Sequence, residues 1–113
     1  SGHKLTFDDT AGAEKIEIET QGGHTLTLDD ASGGKLTLTH SNGAKIVIDS
    51  AGTIEITANV KVKIRAPAGL DITVAMVTVD AAMSKFSGVV KADAVITNSV
   101  VSASYTPGAG NVW

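Results

Sequence analysis

The feature that most constrains this fold is a regular alternation of apolar and polar residues along most of the stretch from Gly52 to Val74. Alternation with a period of two predicts extended strands with one buried face. The apolar residues also form pairs that recur every eight residues, which predicts a repeat made of one short strand and a corner. The pairs are Ile54/Ile56, Val62/Ile64 and Leu70/Ile72.

An eight-residue unit is too short to build a β-helix from one chain. A three-sided β-helix needs three strands per turn, which means about 20 residues or more at the usual strand length. Eight residues supply one side, so three chains wound together would supply all three, with their apolar faces meeting on the axis. Aromatic residues make up only 4% of the chain, which suits a narrow interior of Ile, Val and Leu. From periodicity alone, an ordinary antiparallel meander remains the alternative.

The first half of the chain repeats at about ten residues. Its apolar pairs are separated by clusters of Gly, Asp and Asn, which favour turns. Asn42-Gly43 between two alternating runs is a strong hairpin signal. Residues 4–50 are therefore predicted to form short antiparallel strands in a meander, with a change of winding near Gly52 and a corner at Pro67. The pairs are Leu5/Phe7, Ile16/Ile18, Leu26/Leu28, Leu36/Leu38 and Ile46/Ile48.

Composition and charge disfavour several classes of function. The net charge is −3, and no basic patch contains interleaved aromatic residues, so nucleic-acid binding is not expected. The chain has no cysteine, and it has no apolar run of the length of a transmembrane helix. Glu17 and Glu19 share a polar strand face without any histidine or nucleophile in a catalytic pattern. We therefore expect a protein that is not an enzyme.

Several motifs resemble one known group of proteins. The decad unit from Gly23 to Asp30 resembles the C-terminal spikes of contractile-tail phage baseplates. The unit from Gly52 to Ala58 is similar to the β-helical needles of those spikes and of the VgrG proteins of type VI secretion. The tail from Val95 to Trp113 resembles the ending of phage baseplate assembly protein V homologues, and it is the most specific of the three matches. Together these resemblances cover essentially the whole chain.

The resemblance implies a fold, a location and partners. It implies an all-β, elongated, homotrimeric intertwined β-helix, or needle, preceded by a short antiparallel β-meander. Such a needle follows an oligosaccharide-binding-fold domain and is driven through the bacterial outer membrane when the sheath contracts. The expected location is the virion tail baseplate or a secreted contractile apparatus acting at the target outer membrane. Expected partners are two further copies, the baseplate hub on the N-terminal side and a PAAR-repeat tip protein at the C-terminal end.

The chain can be divided on this basis. Residues 1–3 are expected to be an expression remnant or linker, and residues 4–50 the decad-repeat base. Residues 51–80 would form the octad-repeat, triple-stranded shaft, and residues 81–113 the C-terminal end and tip. Because the pattern begins abruptly, we expect a piece of a longer protein. The predicted trimer-core residues are Ile54, Ile56, Val62, Ile64, Leu70 and Ile72, and the predicted tip or cap-docking residues are Tyr105, Pro107, Val112 and Trp113.

No metal site or cofactor is expected, although ions on the axis remain an open alternative. Several family members carry His-x-His near the C-terminus and bind iron at the apex, whereas the histidines here are His3, His24 and His40. We expect His24 and His40 to be hydrogen-bonded or solvated rather than axial ligands. The aspartate pairs 8–9 and 29–30 are expected to serve turns rather than calcium.

Two further features of the sequence have alternative interpretations. Lys61, Lys63 and Arg65 alternate with apolar residues, which predicts a charged outer face that discourages edge pairing. A contact with lipopolysaccharide phosphates is the alternative for this face. Trp113 would either plug the trimer end or dock a cap.

The function predicted from these observations is that of a structural, cell-envelope-piercing spike of a phage tail or contractile injection system. A trimeric fibre or adhesin module that binds a surface glycan is the alternative from another class. Such a module is expected to expose aromatic residues, and this chain has one tyrosine and one tryptophan.

Overall fold

The computed structural model describes residues 1–104, which fall into two units, residues 1–70 and residues 71–104. All strands that it contains lie in the first unit. They are β1 (Lys4–Asp8), β2 (Lys15–Glu19), β3 (Thr25–Asp29), β4 (Lys35–Thr39), β5 (Lys45–Ile48) and β6 (Ile54–Thr57). One turn of 3-10 helix, Ala31–Gly33, lies between β3 and β4. Within the described residues, no helix is long and apolar enough to span a bilayer.

The six strands form one antiparallel sheet in sequence order, so the predicted all-β class and meander are confirmed. The meander continues through β6, which lies in the segment assigned to the shaft from its eight-residue period. Ile46 of β5 is opposite Ile56 of β6, just as earlier apolar residues are paired. Ile54 and Ile56 therefore extend the sheet of their own chain by one strand.

Tight turns join the strands, and in three of them a glycine with positive φ stands just before the residue that closes the turn. Thr20 and His24 close the β2–β3 turn through a backbone hydrogen bond of 2.9 Å, and Gly23 has a φ of 90°. The β4–β5 turn repeats this geometry with Gly43 at a φ of 95°. A positive φ of this kind is accessible to glycine at little steric cost. The hairpin predicted from Asn42-Gly43 is confirmed.

After Thr57 the chain carries no strand as far as residue 104, and it bends at Asn59 and Val60. The predicted corner at Pro67 is present, because Gly69 donates a backbone hydrogen bond of 3.2 Å to the carbonyl of Ala66. Proline suits this corner because it has no N–H to donate to a ladder. In the second unit, every residue from 71 to 104 is exposed, and none of them forms a ladder with another.

Candidate functional site: an uncovered apolar face

The apolar residues of the sheet form two continuous rows on one face. Side chains directly opposite one another in neighbouring strands lie on the same face, so the strand register defines each row. The first row is Leu5, Ile18, Leu26, Leu38, Ile46 and Ile56, and the second is Phe7, Ile16, Leu28, Leu36, Ile48 and Ile54. We call these twelve side chains the apolar face.

The opposite face of the sheet is mostly polar. At one end of the strands it carries charges of alternating sign. Asp8 lies opposite Lys15, Lys15 opposite Asp29, and Asp29 opposite Lys35. Cross-strand pairs of opposite charge stabilise a sheet by about 0.2–1 kcal/mol each. This face is therefore suited to contact with water.

No other part of the described chain covers the apolar face. Among residues 1–104, no hydrophobic side chain is buried, and Phe7 at the sheet edge is 66% exposed. On β2, the apolar Ile16 and Ile18 are exposed, whereas the polar Lys15, Glu17 and Glu19 are half-buried. This is the reverse of the burial expected of a strand in a self-contained domain, where the apolar side is the covered one. The apolar face is thus uncovered in the single chain.

The six predicted trimer-core residues are all exposed in the single chain. Ile54 and Ile56 lie on β6 within the apolar face, and Val62, Ile64 and Leu70 follow β6 in the first unit. Ile72 lies in the second unit. Their exposed fractions range from 56% for Val62 to 67% for Ile64. Their predicted role as a trimer core remains a prediction.

One end of the sheet is built around imidazole rings, and we call it the histidine end. There the Nδ1 atoms of three histidines accept backbone N–H groups of the turns. His3 accepts from Gln21 at 3.0 Å, His24 from Ser41 at 3.0 Å, and His40 from Asn42 at 3.1 Å. The first two bonds connect segments 17 or 18 residues apart in sequence, so they hold neighbouring turns together.

These hydrogen bonds identify Nδ1 as the acceptor atom of each ring. A neutral imidazole that accepts at Nδ1 carries its proton on Nε2, which is then a donor rather than a metal ligand. The rings of His24 and His40 lie 4.2 Å apart between centroids. Among the described residues, no three histidine, aspartate or glutamate side chains converge on a point that could hold a metal ion. The geometry accordingly fits the hydrogen-bonded role expected for His24 and His40.

Aspartates perform the equivalent task at the opposite end, which we call the aspartate end. Each accepts the backbone N–H of the residue two positions later, at 2.9 Å for Asp8, 2.8 Å for Asp29 and 3.0 Å for Asp49. Asp49 also accepts from Thr53 at 3.0 Å. Asp8 and Asp29 therefore carry out the turn chemistry expected of them.

The Asp8 carboxylate has a pKa below its ordinary value. A hydrogen bond from the Thr10 side chain is the main cause, followed by the backbone N–H of Thr10. The positive charge of Lys15 adds to the effect, and partial desolvation opposes it. Hydrogen bonds to the ionised form favour that form, which lowers the pKa.

A groove of about 440 Å³ runs along the histidine end. Apolar side chains, most of them from the first row, line it together with the imidazoles of His24 and His40 and two lysines. The lining includes Leu38, Ile46, Ile56, Val62, His24, His40, Lys45 and Lys61. The groove is open toward the apolar face, so it forms part of the same uncovered surface.

The sequence pattern identified the apolar face but not which backbone N–H groups the histidines would accept. His3 and His24 each stand directly before a strand and are 21 residues apart, close to two decads, and this spacing was the available signal. The predicted tip residues Tyr105, Pro107, Val112 and Trp113 lie outside the described residues.

Comparison with known proteins adds one finding. The family model of the phage baseplate V C-terminal trimerisation domain matches residues 15–99. Neither a curated protein nor a solved structure matches the chain significantly. The matched range includes β2 to β6 and most of the segment that follows.

Proposed function

Because the chain belongs to the phage baseplate V C-terminal trimerisation domain family, we propose that three copies wind together into the cell-piercing spike of a tail baseplate. A structural role in the phage baseplate follows from the family. The finer elements of the proposal are the wound trimer, the mechanical task and the outer membrane as target.

The observation that carries this proposal is the absence of a core in the single chain. No hydrophobic side chain among residues 1–104 is buried, and the apolar residues of β1, β2 and β6 are all exposed. Burial of apolar surface is the main favourable term in folding, at about 25 cal/mol per Å². A chain that leaves this surface in water would have little to stabilise it. Three copies that cover one another's apolar faces would supply the missing core.

The segment after β6 supports winding rather than stacking. From Val60 to Ile64 apolar residues alternate with lysines, yet the backbone there has no ladder partner within the described chain. Extended backbone gains hydrogen bonds only beside another strand. Neighbouring copies in a triple-stranded β-helix would provide those bonds on both sides. Val62 and Ile64 would then face the axis.

Such an assembly suits a mechanical task. A closed arrangement of strands leaves no free sheet edge, and unfolding it requires many ladder bonds and apolar contacts to break together. The proposed spike would resist bending when the sheath drives it against the outer membrane. In this proposal the domain is not an enzyme, and chemical activity would belong to other domains or to a cap.

The proposed ends of the spike have different partners. The baseplate hub would join the N-terminal side, next to the meander. Tyr105, Pro107, Val112 and Trp113 would close the C-terminal tip or dock a PAAR-repeat cap. A contractile injection system that is secreted rather than carried by a virion would use the same arrangement.

Oligomeric state is the direct test of the trimer. Multi-angle light scattering at micromolar concentration is expected to give a mass near three times the 11.5 kDa of one chain. A clean monomer in native buffer would contradict the proposal. Native mass spectrometry of the same sample distinguishes a trimer from a dimer or tetramer.

The piercing role needs a separate test. The trimer, attached to a cantilever by its N-terminal side, is pressed repeatedly through a supported bilayer that contains lipopolysaccharide. We expect repeated penetration at unchanged force, because the spike does not unfold. Progressive loss of penetration, together with glycan-array binding that Trp113→Ala abolishes, would favour the surface-binding fibre instead.

A further inference from the structure

A short run of positive charge follows the sheet, and the trimer alone does not account for it. Lys61, Lys63 and Arg65 occupy alternate positions on the segment after β6, and all three are exposed. No acidic residue occurs between Glu55 and Asp71. We call these three residues the cationic segment. It stands out because the whole chain has a net charge of −3.

In the proposed trimer, where this segment forms a strand, alternation would place the three cations on one side of the backbone. Residues two apart in a strand are about 6.6 Å apart and point the same way. In the single chain, Lys61 and Val62 both line the groove at the histidine end, so their separation would arise on assembly. If Val62 and Ile64 then face the axis, all three cations point outward.

We propose that the cationic segments of three chains form a belt around the spike that binds the phosphate groups of an anionic lipid surface. This inference rests on the proposed trimer, since one chain carries only three of the charges. Three copies would place nine cations around one layer of the shaft, with the three of each chain spread over about 13 Å along its strand. Charges of one sign at such density repel one another and attract a surface of opposite charge.

The chemistry of the segment favours a lipid surface over a nucleic acid. Binding of single-stranded nucleic acid uses aromatic side chains as stacking platforms beside the cations. The stretch from Gly52 to Val74 contains no aromatic residue. A lipid surface with exposed phosphates needs only positive charge at the right density. The apolar residues are engaged on the other side, so they would not be required for this contact.

Edge protection is the competing explanation, because lysines also discourage unwanted pairing of strands. The two explanations make different predictions for a variant without the charges. Loss of edge protection would cause aggregation but leave lipid binding intact. Loss of the belt would abolish lipid binding and leave the trimer soluble.

The test uses the full chain and vesicle flotation. Phosphatidylcholine vesicles containing lipid A present phosphates, and pure phosphatidylcholine vesicles serve as the neutral surface. The belt variant is Lys61→Gln/Lys63→Gln/Arg65→Gln. Its matched control, Lys4→Gln/Lys85→Gln/Lys91→Gln, removes the same charge from exposed positions elsewhere. A third variant, Lys61→Arg/Lys63→Arg/Arg65→Lys, keeps the charge.

We expect the wild type to float with lipid A vesicles at low salt and to be released at high salt. Each cation near an anionic surface strengthens binding about fivefold. If one side of the belt, with the three cations of one chain, meets the vesicle, the belt variant is expected to bind about a hundredfold more weakly. The matched control and the charge-keeping variant are expected to bind like the wild type. Equal binding by the belt variant would overturn the proposal, as would stronger binding to a single-stranded oligonucleotide than to lipid A.

Light scattering of every sample separates this inference from the proposed function. A trimer that ignores lipid A vesicles would overturn the belt alone. A monomer would overturn both the belt and the trimeric spike. Competition with inorganic phosphate at millimolar concentration tells whether free phosphate occupies the same cations. If phosphate at that concentration releases the protein completely, the lipid surface is not the preferred ligand and the proposal is overturned.

Discussion

The imidazole rings of His24 and His40 lie 4.2 Å apart, and each accepts a backbone N–H of the β4–β5 turn at Nδ1. Ser41 donates to the first ring and Asn42 to the second. The His24 bond joins the β2–β3 turn to the β4–β5 turn, whereas the His40 bond lies within the β4–β5 turn.

Loss of the imidazole acceptors is expected to weaken the histidine end. The double variant His24→Ala/His40→Ala removes the groups that accept the N–H of Ser41 and of Asn42. Each lost hydrogen bond costs about 1 kcal/mol. Thermal unfolding followed by circular dichroism should show a lower midpoint for this variant than for the wild type.

The double variant His24→Asn/His40→Asn provides the control. An asparagine Oδ1 can take the place of Nδ1 as acceptor at any pH, as Asn42 already does toward the N–H of Ala44. The asparagine variant is expected to keep most of the wild-type midpoint. If it loses as much stability as the alanine variant, the acceptor atoms are not what stabilises this end.

The turn that Asp8 holds is expected to lose stability at lower pH. The pKa of Asp8 is lowered in the folded state, chiefly by the Thr10 side chain. Its contribution to stability is therefore present above the pKa of the unfolded chain and is lost as pH falls through the folded pKa. Thr10→Val should raise the pKa of Asp8, measured by carbon-detected NMR titration of the carboxyl group. Thr6→Val, a change on the same strand as Asp8, should leave the pKa of Asp8 unchanged.

The need for glycine at position 23 of the β2–β3 turn can be tested with its neighbour Gly22 as the control. Gly23 has a φ of 90°, whereas Gly22 does not adopt a positive φ. An added Cβ would meet only ordinary contacts at either position, 3.5 Å from Ser41 or 3.6 Å from His24. Gly23→Ala is thus expected to cost about 1–2 kcal/mol through backbone strain alone. Gly22→Ala should be nearly neutral in urea unfolding, and equal effects would contradict this explanation.

Substitutions on the two faces of β4 distinguish a covered apolar face from an exposed one. Leu38 is 50% exposed in the single chain, and its neighbour Thr37 lies on the polar face. If other copies cover the apolar face, Leu38→Gln should destabilise the assembly by about 2–3 kcal/mol, as expected for a buried leucine. Thr37→Gln should have little effect. An effect of Leu38→Gln below 0.5 kcal/mol, roughly that of a surface change, would argue against coverage.

The direction of the shaft residues can be tested in the same way. Ile64→Asp would place three charges near the axis and is expected to prevent trimer formation. Lys63→Asp changes the adjacent residue, which is expected to face outward, and should leave the trimer intact. Light scattering gives the outcome directly. A trimer that survives Ile64→Asp as stably as the wild type would show that the register is different.

The fold of the first half could be predicted because its local signals agree. Glycine, asparagine and aspartate mark each turn, and the alternating residues define each strand and its apolar side. The extent of the meander was harder to predict. Ile54 and Ile56 alternate in the same way whether their strand pairs with β5 or with another chain. Periodicity reports which side of a strand is apolar, and it carries no information about which backbone lies beside it.

The histidine end shows a different limit of sequence reasoning. The hydrogen bonds that His3 and His24 accept come from residues 18 and 17 positions away in sequence. They form only because the turns involved lie at the same end of the sheet. That information appears only when the strand order is known. The Asp8 and Asp29 caps act over two residues, so local sequence was enough to predict them.

The alternation of turn chemistry between the two ends gives the sheet a natural unit of length. Two successive strands with their turns occupy 20 residues, as from Lys15 to Lys35 or from Asp29 to Asp49, and they bring the chain back to the end from which it started. Removing or adding such a double unit would preserve both apolar rows and leave each cap at its own end. Adding or removing a single decad would instead reverse the direction in which the chain leaves the sheet. An even number of strands is therefore needed for the chain to leave the sheet at the end where it entered.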